Sequence, residues 1–363
     1  MYSNKDLFLE PTVSQYGSHM VMTNVQKETK RKYLNIDTRF RDDYNDSSNS
    51  SHKDHIITLP QTITDVKSIM ICNAEIPISY YNISASLGNN AFGIVFPSIN
   101  PNTNQPITAS SIITVPVGGI KLDQMYYVIL NDGVYDISGL KYEINYQLQN
   151  AWLNDASINL ASEIKYNYVN IIDMPAGSTP TTNSFTFNYS LFQSVSGYAV
   201  IYFNIKGNQN CAWTSNKTIT NDKYEYKNKL GPLLGYKKSN QIKFTSSNQT
   251  IKSDSIVDLN GPRYLYIIVD EFSKGNQNSF ISPLSNSIIN KNILSRVNYD
   301  TKLHPFGSIL SASIITGTLL SDRRSYTGKI DIQKLKVQIV NEYGTPVNLN
   351  GLDFSFCLEI EHE

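Results

Sequence analysis

Charge is scarce in this chain. Asp, Glu, Lys and Arg make up 17% of its 363 residues, against about a quarter in an ordinary soluble domain. The signs also cancel, 31 basic side chains against 31 acidic ones. A general nucleic-acid binder needs a basic face to neutralise phosphates, so no direct nucleic-acid partner is expected. Cysteine is nearly absent. Cys72, Cys211 and Cys357 are odd in number, far apart and without a CxxC spacing. That argues against a disulfide framework or a thiolate zinc site and predicts reduced thiols. No apolar run approaches the roughly 20 residues that span a bilayer, so no transmembrane segment is expected. The opening MYSNKDLFLE lacks a basic stretch followed by an apolar one, the mark of a secretory signal. Synthesis in the cytoplasm is therefore expected. Sequons such as Asn188-Tyr-Ser are read as chance in so Asn- and Ser-rich a chain.

Signatures of chemistry are lacking as well. No G-x-S-x-G elbow, H-E-x-x-H pair or dinucleotide fingerprint occurs. His52 and His55 stand three apart in a loop entering a strand, where they fall on opposite faces and lack further ligands. Asp42, Asp43 and Asp46 miss the Gly and Glu positions of a calcium loop. Gly231-Pro-Leu-Leu-Gly235 has an apolar centre where a phosphate loop has polar backbone, and Thr327-Gly-Lys has no glycine-rich lead-in. No catalytic, cofactor-binding or metal-binding residue is assigned, no cofactor is expected, and the chain is read as non-enzymatic.

What the sequence has is uncharged polarity and strands. Asn, Ser, Thr and Gln carry the polarity, and such a neutral surface repels its neighbours little. The 24 tyrosines suit strands and also interfaces, since Tyr buries a ring and keeps a hydrogen-bonding tip. Apolar and β-branched runs fall at 55–60, 66–79, 91–97, 110–117, 125–136, 164–172, 184–190, 198–205, 241–247, 263–272, 313–316, 331–340 and 352–361. In the last, Phe354, Phe356, Leu358 and Ile360 alternate with Ser355, Cys357 and Glu359, as in a half-buried strand. Leu335, Val337 and Ile339 alternate likewise, and Glu342-Tyr-Gly344 between the two runs predicts a C-terminal hairpin. Asn131-Asp-Gly133 predicts a tight turn. Helical spacing appears where Leu140, Ile144, Leu148 and Trp152 recur, which predicts a helix over 138–154 with Ser138 as N-cap. A short second helix is expected near 224–235, stopped by Gly235. Strands surround the helices without βαβ alternation. The expected fold is therefore mostly β, an antiparallel β-sandwich or jelly roll with short helical insertions, over residues 33–363. Residues 1–32 lack either period and read as an N-terminal arm. Its apolar side chains, Phe8, Leu9, Tyr16, Met20, Met22 and Val25, are the candidate assembly contacts.

Gln15-Tyr-Gly-Ser-His-Met-Val-Met-Thr-Asn-Val, Lys32-Tyr-Leu-Asn-Ile-Asp-Thr-Arg-Phe-Arg-Asp, and VKSIMICNAEIPISYYNIS (66–84) with Leu87-Gly-Asn-Asn resemble stretches of virion structural proteins of the nucleocytoplasmic large DNA viruses. Lys229-Leu-Gly-Pro-Leu-Leu-Gly-Tyr-Lys, Gly261-Pro-Arg-Tyr-Leu-Tyr-Ile-Ile-Val-Asp-Glu-Phe, Tyr326 to Gly344, and Leu352-Asp-Phe-Ser-Phe look like the same family. The likeness touches most of the chain, and none of its motifs is catalytic. It implies a penton or minor capsid protein of an icosahedral giant-virus particle, built on a jelly roll and located in the virion capsid. The implied partners are other capsid proteins and further copies of the chain, a pentamer if it is a penton. The alternative is a virion surface attachment module or fibre head. Gly231 and Gly235 read as helix caps, Arg263 as a partner for a carboxylate across a sheet, and Asp37, Arg39 and Arg41 as a salt-bridged cap or a subunit contact.

Overall fold

The computed structural model describes residues 28–44, 54–95, 97–100, 103–106, 123, 125–151, 199–205, 228–244, 249–272 and 292–363, with the backbone of short strands at 13–15, 21–23, 170–171 and 186–189. In chain order the strands are β1 (Val13–Gln15), β2 (Val21–Thr23), β3 (Lys30–Asp37), β4 (His55–Pro77), β5 (Ala91–Val95), β6 (Met125–Ile129), β7 (Asn170–Ile171), β8 (Thr186–Tyr189), β9 (Ala199–Tyr202), β10 (Gln241–Phe244), β11 (Gln249–Lys252), β12 (Tyr264–Asp270), β13 (Ile293–Asn298), β14 (Ile309–Ser313), β15 (Leu319–Ser321), β16 (Arg324–Asn341) and β17 (Ser355–His362). The helices are α1 (Ile137–Ala151) and the single turn α2 (Leu230–Leu233). The protein is mostly β and every strand pair among the described residues is antiparallel, as the alternating runs predict.

The main sheet has the order β15-β13-β12-β16-β4-β17-β3, with β14 also on β4. It curls on itself around one core that joins Ile57, Ile71, Ile267, Leu335, Phe356 and Leu358. Each fully buried Leu or Ile there contributes about 1.5–3 kcal/mol. The curl nearly closes. Ser321 on the edge strand β15 accepts from Ile71 N at 3.0 Å and donates to Leu294 O at 3.2 Å, so one hydroxyl ties β4 to β13.

The long strand β4 supplies the bend. The two apolar runs at 55–60 and 66–79 are one strand of 23 residues. Its inward set shifts from His55, Ile57 and Leu59 to Val66, then to Ile69 and Ile71, then to Ala74 and Ile76. A fixed period of two cannot do this. Register shifts against β16 and β17 can, because each extra residue turns the following side chains over. One bend lies at Asp65, which takes a positive φ of 55°. Pro60, exposed within this strand, sits between the paired stretches, where a missing N–H costs no ladder bond.

Between β4 and β12 the chain builds a second layer. Its sheet runs β10-β9-β5-β6, with Phe92, Ile94, Ile201, Phe203 and Phe244 buried. Helix α1 lies against β6 and buries Leu140 and Ile144, each at 0% exposure. Asp136, not Ser138, caps it, with Oδ1 accepting from Gly139 N at 2.7 Å. Leu148 belongs to α1, but its side chain and Trp152 lie outside the described residues.

Other expectations change too. The C-terminal hairpin does not form. β4 lies between β16 and β17 and pairs with both. Residues 313–316 make a turn, held by Thr316 N donating to Ser313 Oγ at 3.1 Å and by Gly317 at φ 72°. Of the helix expected over 224–235, the described part, 228–235, holds only α2, with Gly235 at φ 92° following it, and 224–227 lie outside the described residues. A Cβ on Gly235 would stand 2.2 Å from Ser255 O, so only glycine fits. Gly231 lies inside the turn of helix and caps nothing. Lys30, Arg31 and Lys32 belong to β3 and pair with His362, Glu361 and Ile360 of β17. The runs at 110–117 and most of 164–172 lie outside the described residues.

Candidate functional site

Where β4 leaves the main sheet and β12 returns to it, the two layers meet at a cleft of about 660 Å³. Three segments form it: Tyr80–Asn82 leaving β4, Gly261–Tyr264 entering β12, and the turn after β16 at 341–345. Each is fixed locally. Ser79 Oγ donates to Leu349 O at 2.6 Å, seating the first segment on the main sheet. Asn82 staples the layers together. It donates to Tyr135 O at 2.8 Å and Leu259 O at 2.9 Å, and its Oδ1 accepts from Tyr135 N at 2.9 Å. Asn89 holds the backbone of this staple, donating to Asn82 O and accepting from Ser84 N, both at 2.8 Å. The side chain of Asn341 shapes the last turn by accepting from Tyr343 N at 3.0 Å and Thr345 N at 2.9 Å.

The floor of the cleft is polar and only partly paired. The Glu342 carboxylate is pushed above its ordinary range by burial. Its Oε1 receives Arg263 N at 3.4 Å, while its Oε2 has no hydrogen-bond partner among the described residues. The Tyr80 hydroxyl and Asn228 Oδ1, in two further lining residues, are closed off from solvent and have no hydrogen-bond partner among the described residues. Tyr80 packs edge-on against Tyr299 at 6.1 Å. Burial, then the Glu342 charge, pushes the Tyr299 hydroxyl up. At the rim Arg263 pairs with Asp258 at 3.6 Å, in the segment just before it and not across a sheet. Two cleft rings are backed by neighbours, Tyr81 by Phe306 at 6.3 Å and Tyr264 by the Arg296 guanidinium at 4.1 Å. No sequence motif pointed to this cleft.

Two surface features stand apart from it. On the outer side of β3, β17 and β4, Arg323 reaches Glu359 at 2.5 Å and Glu361 at 3.2 Å, and Arg31 reaches Glu359 at 3.7 Å. The Arg323 hydrogen bond holds the Glu359 carboxyl below its ordinary range. The second feature is apolar. Between residues 303 and 320, Leu303, Phe306, Ile309, Ile314, Ile315 and Leu320 are all exposed, Ile315 at 98%.

The residues singled out from sequence fall as follows. Asp37 caps a 3-10 turn and pairs with Arg39 at 2.6 Å, and Arg41 pairs with Asp353, so the salt-bridged cap is present. Asp42 accepts from Thr58 N at 3.0 Å and Thr58 Oγ1 at 2.6 Å. His55 is buried edge-on to Phe354 at 5.7 Å. Among the described residues no group of three His, Cys, Asp or Glu could hold a metal ion. Cys72 and Cys357 are free thiols, pushed up mainly by burial, and Cys211 lies outside the described residues. So do Phe8, Leu9, Tyr16, Met20 and Val25 of the arm. Met22 is placed only as backbone in β2, paired with Ser14 of β1. No helix among the described residues is long and apolar enough to cross a membrane.

No protein-family model matches the chain, and no curated protein matches its sequence. Among solved structures, the crystal structure of the mavirus penton protein aligns with a TM-score of 0.37 at 10% sequence identity, over 93% of this chain and 100% of that one.

Proposed function

We propose that the chain is a structural protein of a virus capsid, a penton or minor capsid protein of a giant-virus particle, which works by protein–protein assembly and not by chemistry. The observation that carries this is the run of exposed apolar side chains between residues 303 and 320. Exposed apolar side chains gathered in one stretch are a mark of interaction sites, since a free monomer gains nothing from wetting them. The neutral charge balance fits the same role, as does the place of β3 at the end of the main sheet with no further neighbour among the described residues, a strand edge being a template for another chain. The partners are other capsid proteins and further copies of this chain, and the arm residues Phe8, Leu9, Tyr16, Met20, Met22 and Val25 lace onto them. The test is composition. Mass spectrometry of purified particles of the encoding virus should find the chain in stoichiometric amount after detergent stripping, and its absence would overturn the proposal. A second reading, a surface attachment module, is favoured by the cleft.

A further inference from the structure

We infer that Cys72 and Cys357 join in a disulfide when the chain meets a disulfide oxidant, a bond that locks β17 onto β4. The inference rests on the register of these two strands and on neither reading of function.

The first argument is position. β17 runs antiparallel to β4, with Cys357 opposite Asn73 and Leu358 opposite Ile71. Cys72 is the residue passed over between them. The register shift is therefore a bulge, in which Cys72 and Asn73 together face Cys357. Opposed residues of an antiparallel pair hold their Cα atoms about 4.5–5.5 Å apart, inside the range of about 4.4–6.8 Å that a disulfide spans. The second argument is direction. Phe356 and Leu358 are buried in the core, so Cys357 and Glu359 point to the other face of the sheet. Cys72 points there too, because its Sγ lies 4.0 Å from Glu359 Oε2. Burial, then the Glu359 charge, pushes both thiols up, and Cys357 adds to the rise at Cys72 as a near neighbour does. Both thiols are only half-buried, which leaves a small oxidant room to reach them.

The third argument is what the bond holds. β17 lies between β4 and β3, and β3 has no other neighbour among the described residues. One crosslink there secures two strands against peeling from the sheet. It also closes every strand from β5 to β16 into one loop, and the longer the loop, the more a crosslink restricts the unfolded chain.

The chemistry balances with glutathione disulfide as the oxidant. The Cys72 thiolate attacks one glutathione sulfur, and the other glutathione leaves as a thiolate. The Cys357 thiolate then attacks Cys72 Sγ in the mixed disulfide and expels the second glutathione. Two protein thiols are oxidised, one glutathione disulfide is reduced to two glutathiones, and the two thiol protons pass to the released thiolates. Cys72 takes the first step, since the Arg323 charge works against the rise of its thiol.

The experiment uses the full chain, reduced, freed of reductant and incubated in its native state with glutathione disulfide. It is then alkylated, digested and mapped by mass spectrometry. Of the three cysteines, Cys72 and Cys357 should appear as one linked peptide pair, with Cys211 outside it. Cys211→Ser should leave the link intact and Cys72→Ser should remove it. The oxidised chain should melt about 5 °C or more above the reduced one, a difference that Cys357→Ser should erase. Glu359→Gln should speed the oxidation about 2- to 10-fold, as both thiols lose a negative neighbour. Mixed disulfides with glutathione and no internal link would overturn the inference. So would a link that engages Cys211, or oxidised and reduced chains that melt alike.

Discussion

Arg324 and Glu271 form an ion pair with side chains 1% and 0% exposed, closed at 2.8 Å. The same Nη1 of Arg324 donates to Val269 O, also at 2.8 Å. The other guanidinium nitrogen, Nη2, and Glu271 Oε1 have no hydrogen-bond partner among the described residues. Taking both charges out of water costs several kcal/mol, and the mutual attraction offsets that only when every remaining proton and lone pair is satisfied. Here two are not. The pair should therefore add little net stability, yet be costly to break from one side. Arg324→Met strands a buried carboxylate and should cost about 3–5 kcal/mol. Glu271→Leu strands the guanidinium and should cost about the same. The double variant should fall between neutral and about 4 kcal/mol more stable than the parent. Urea unfolding followed by fluorescence gives the four corners of the cycle, and an unchanged slope in each would show that stability alone has moved. A loss below about 1 kcal/mol for Arg324→Met, or a double variant as unstable as the worse single one, would refute the argument.

Gly235→Ala should destabilise by about 1–3 kcal/mol, because φ 92° and the approach to Ser255 O both exclude a Cβ, and a denaturation midpoint equal to the parent's would contradict it. Ile315→Asp, at a side chain 98% exposed, should leave folding stability within about 0.5 kcal/mol and yet reduce incorporation into particles; normal incorporation would remove that side chain from the interface. A chain beginning at residue 28 keeps β3 whole and should unfold with the full-length midpoint while failing to enter particles, and early melting would place the arm in the fold. Two carboxylates should give opposite pH dependence. Glu359 is depressed by Arg323, so its contribution is present above the unfolded value near 4.5 and lost as pH falls through the folded one, a loss that Arg323→Gln should abolish in acid titrations. Glu342 is raised by burial, so the folded chain binds its proton more tightly than the unfolded chain does. The stability linked to that proton fades as pH rises through the folded value, and Glu342→Gln should be more stable than the parent at neutral pH but not in acid.

Local periodicity made the class of the fold legible. Phe354, Phe356, Leu358 and Ile360 alternate in sequence and all four are buried. Leu140 and Ile144 keep helical spacing and seat α1 on β6. Pairing was not legible, because alternation says which face is inward and nothing of which strand lies alongside. Glu342-Tyr-Gly344 is good turn chemistry, yet β16 and β17 do not meet, since β4 brings enough apolar surface to pair with both. The length of β4 was hidden for a related reason. Pro60 and the change of phase near Asp65 look like the end of one strand and the start of another when read along the chain. Register shifts against the neighbouring strands turn them into bends.

The cleft was beyond sequence reasoning because its residues have nothing in common until the chain has folded. Tyr80, Asn228 and Glu342 come from three distant parts of the chain. Each is an ordinary residue locally: a Tyr at a strand end, an Asn before a helical turn, a Glu after a strand. The stretches that carry the viral resemblance lie beside the cleft, at 66–84, 229–237, 261–272 and 326–344. These stretches contain or border the three segments that build the cleft. Gly235, Gly261 and Gly344 hold positive φ angles at the turns in these stretches, and such positions are recognisable one at a time. Hydrogen-bond demand is recognisable only in three dimensions.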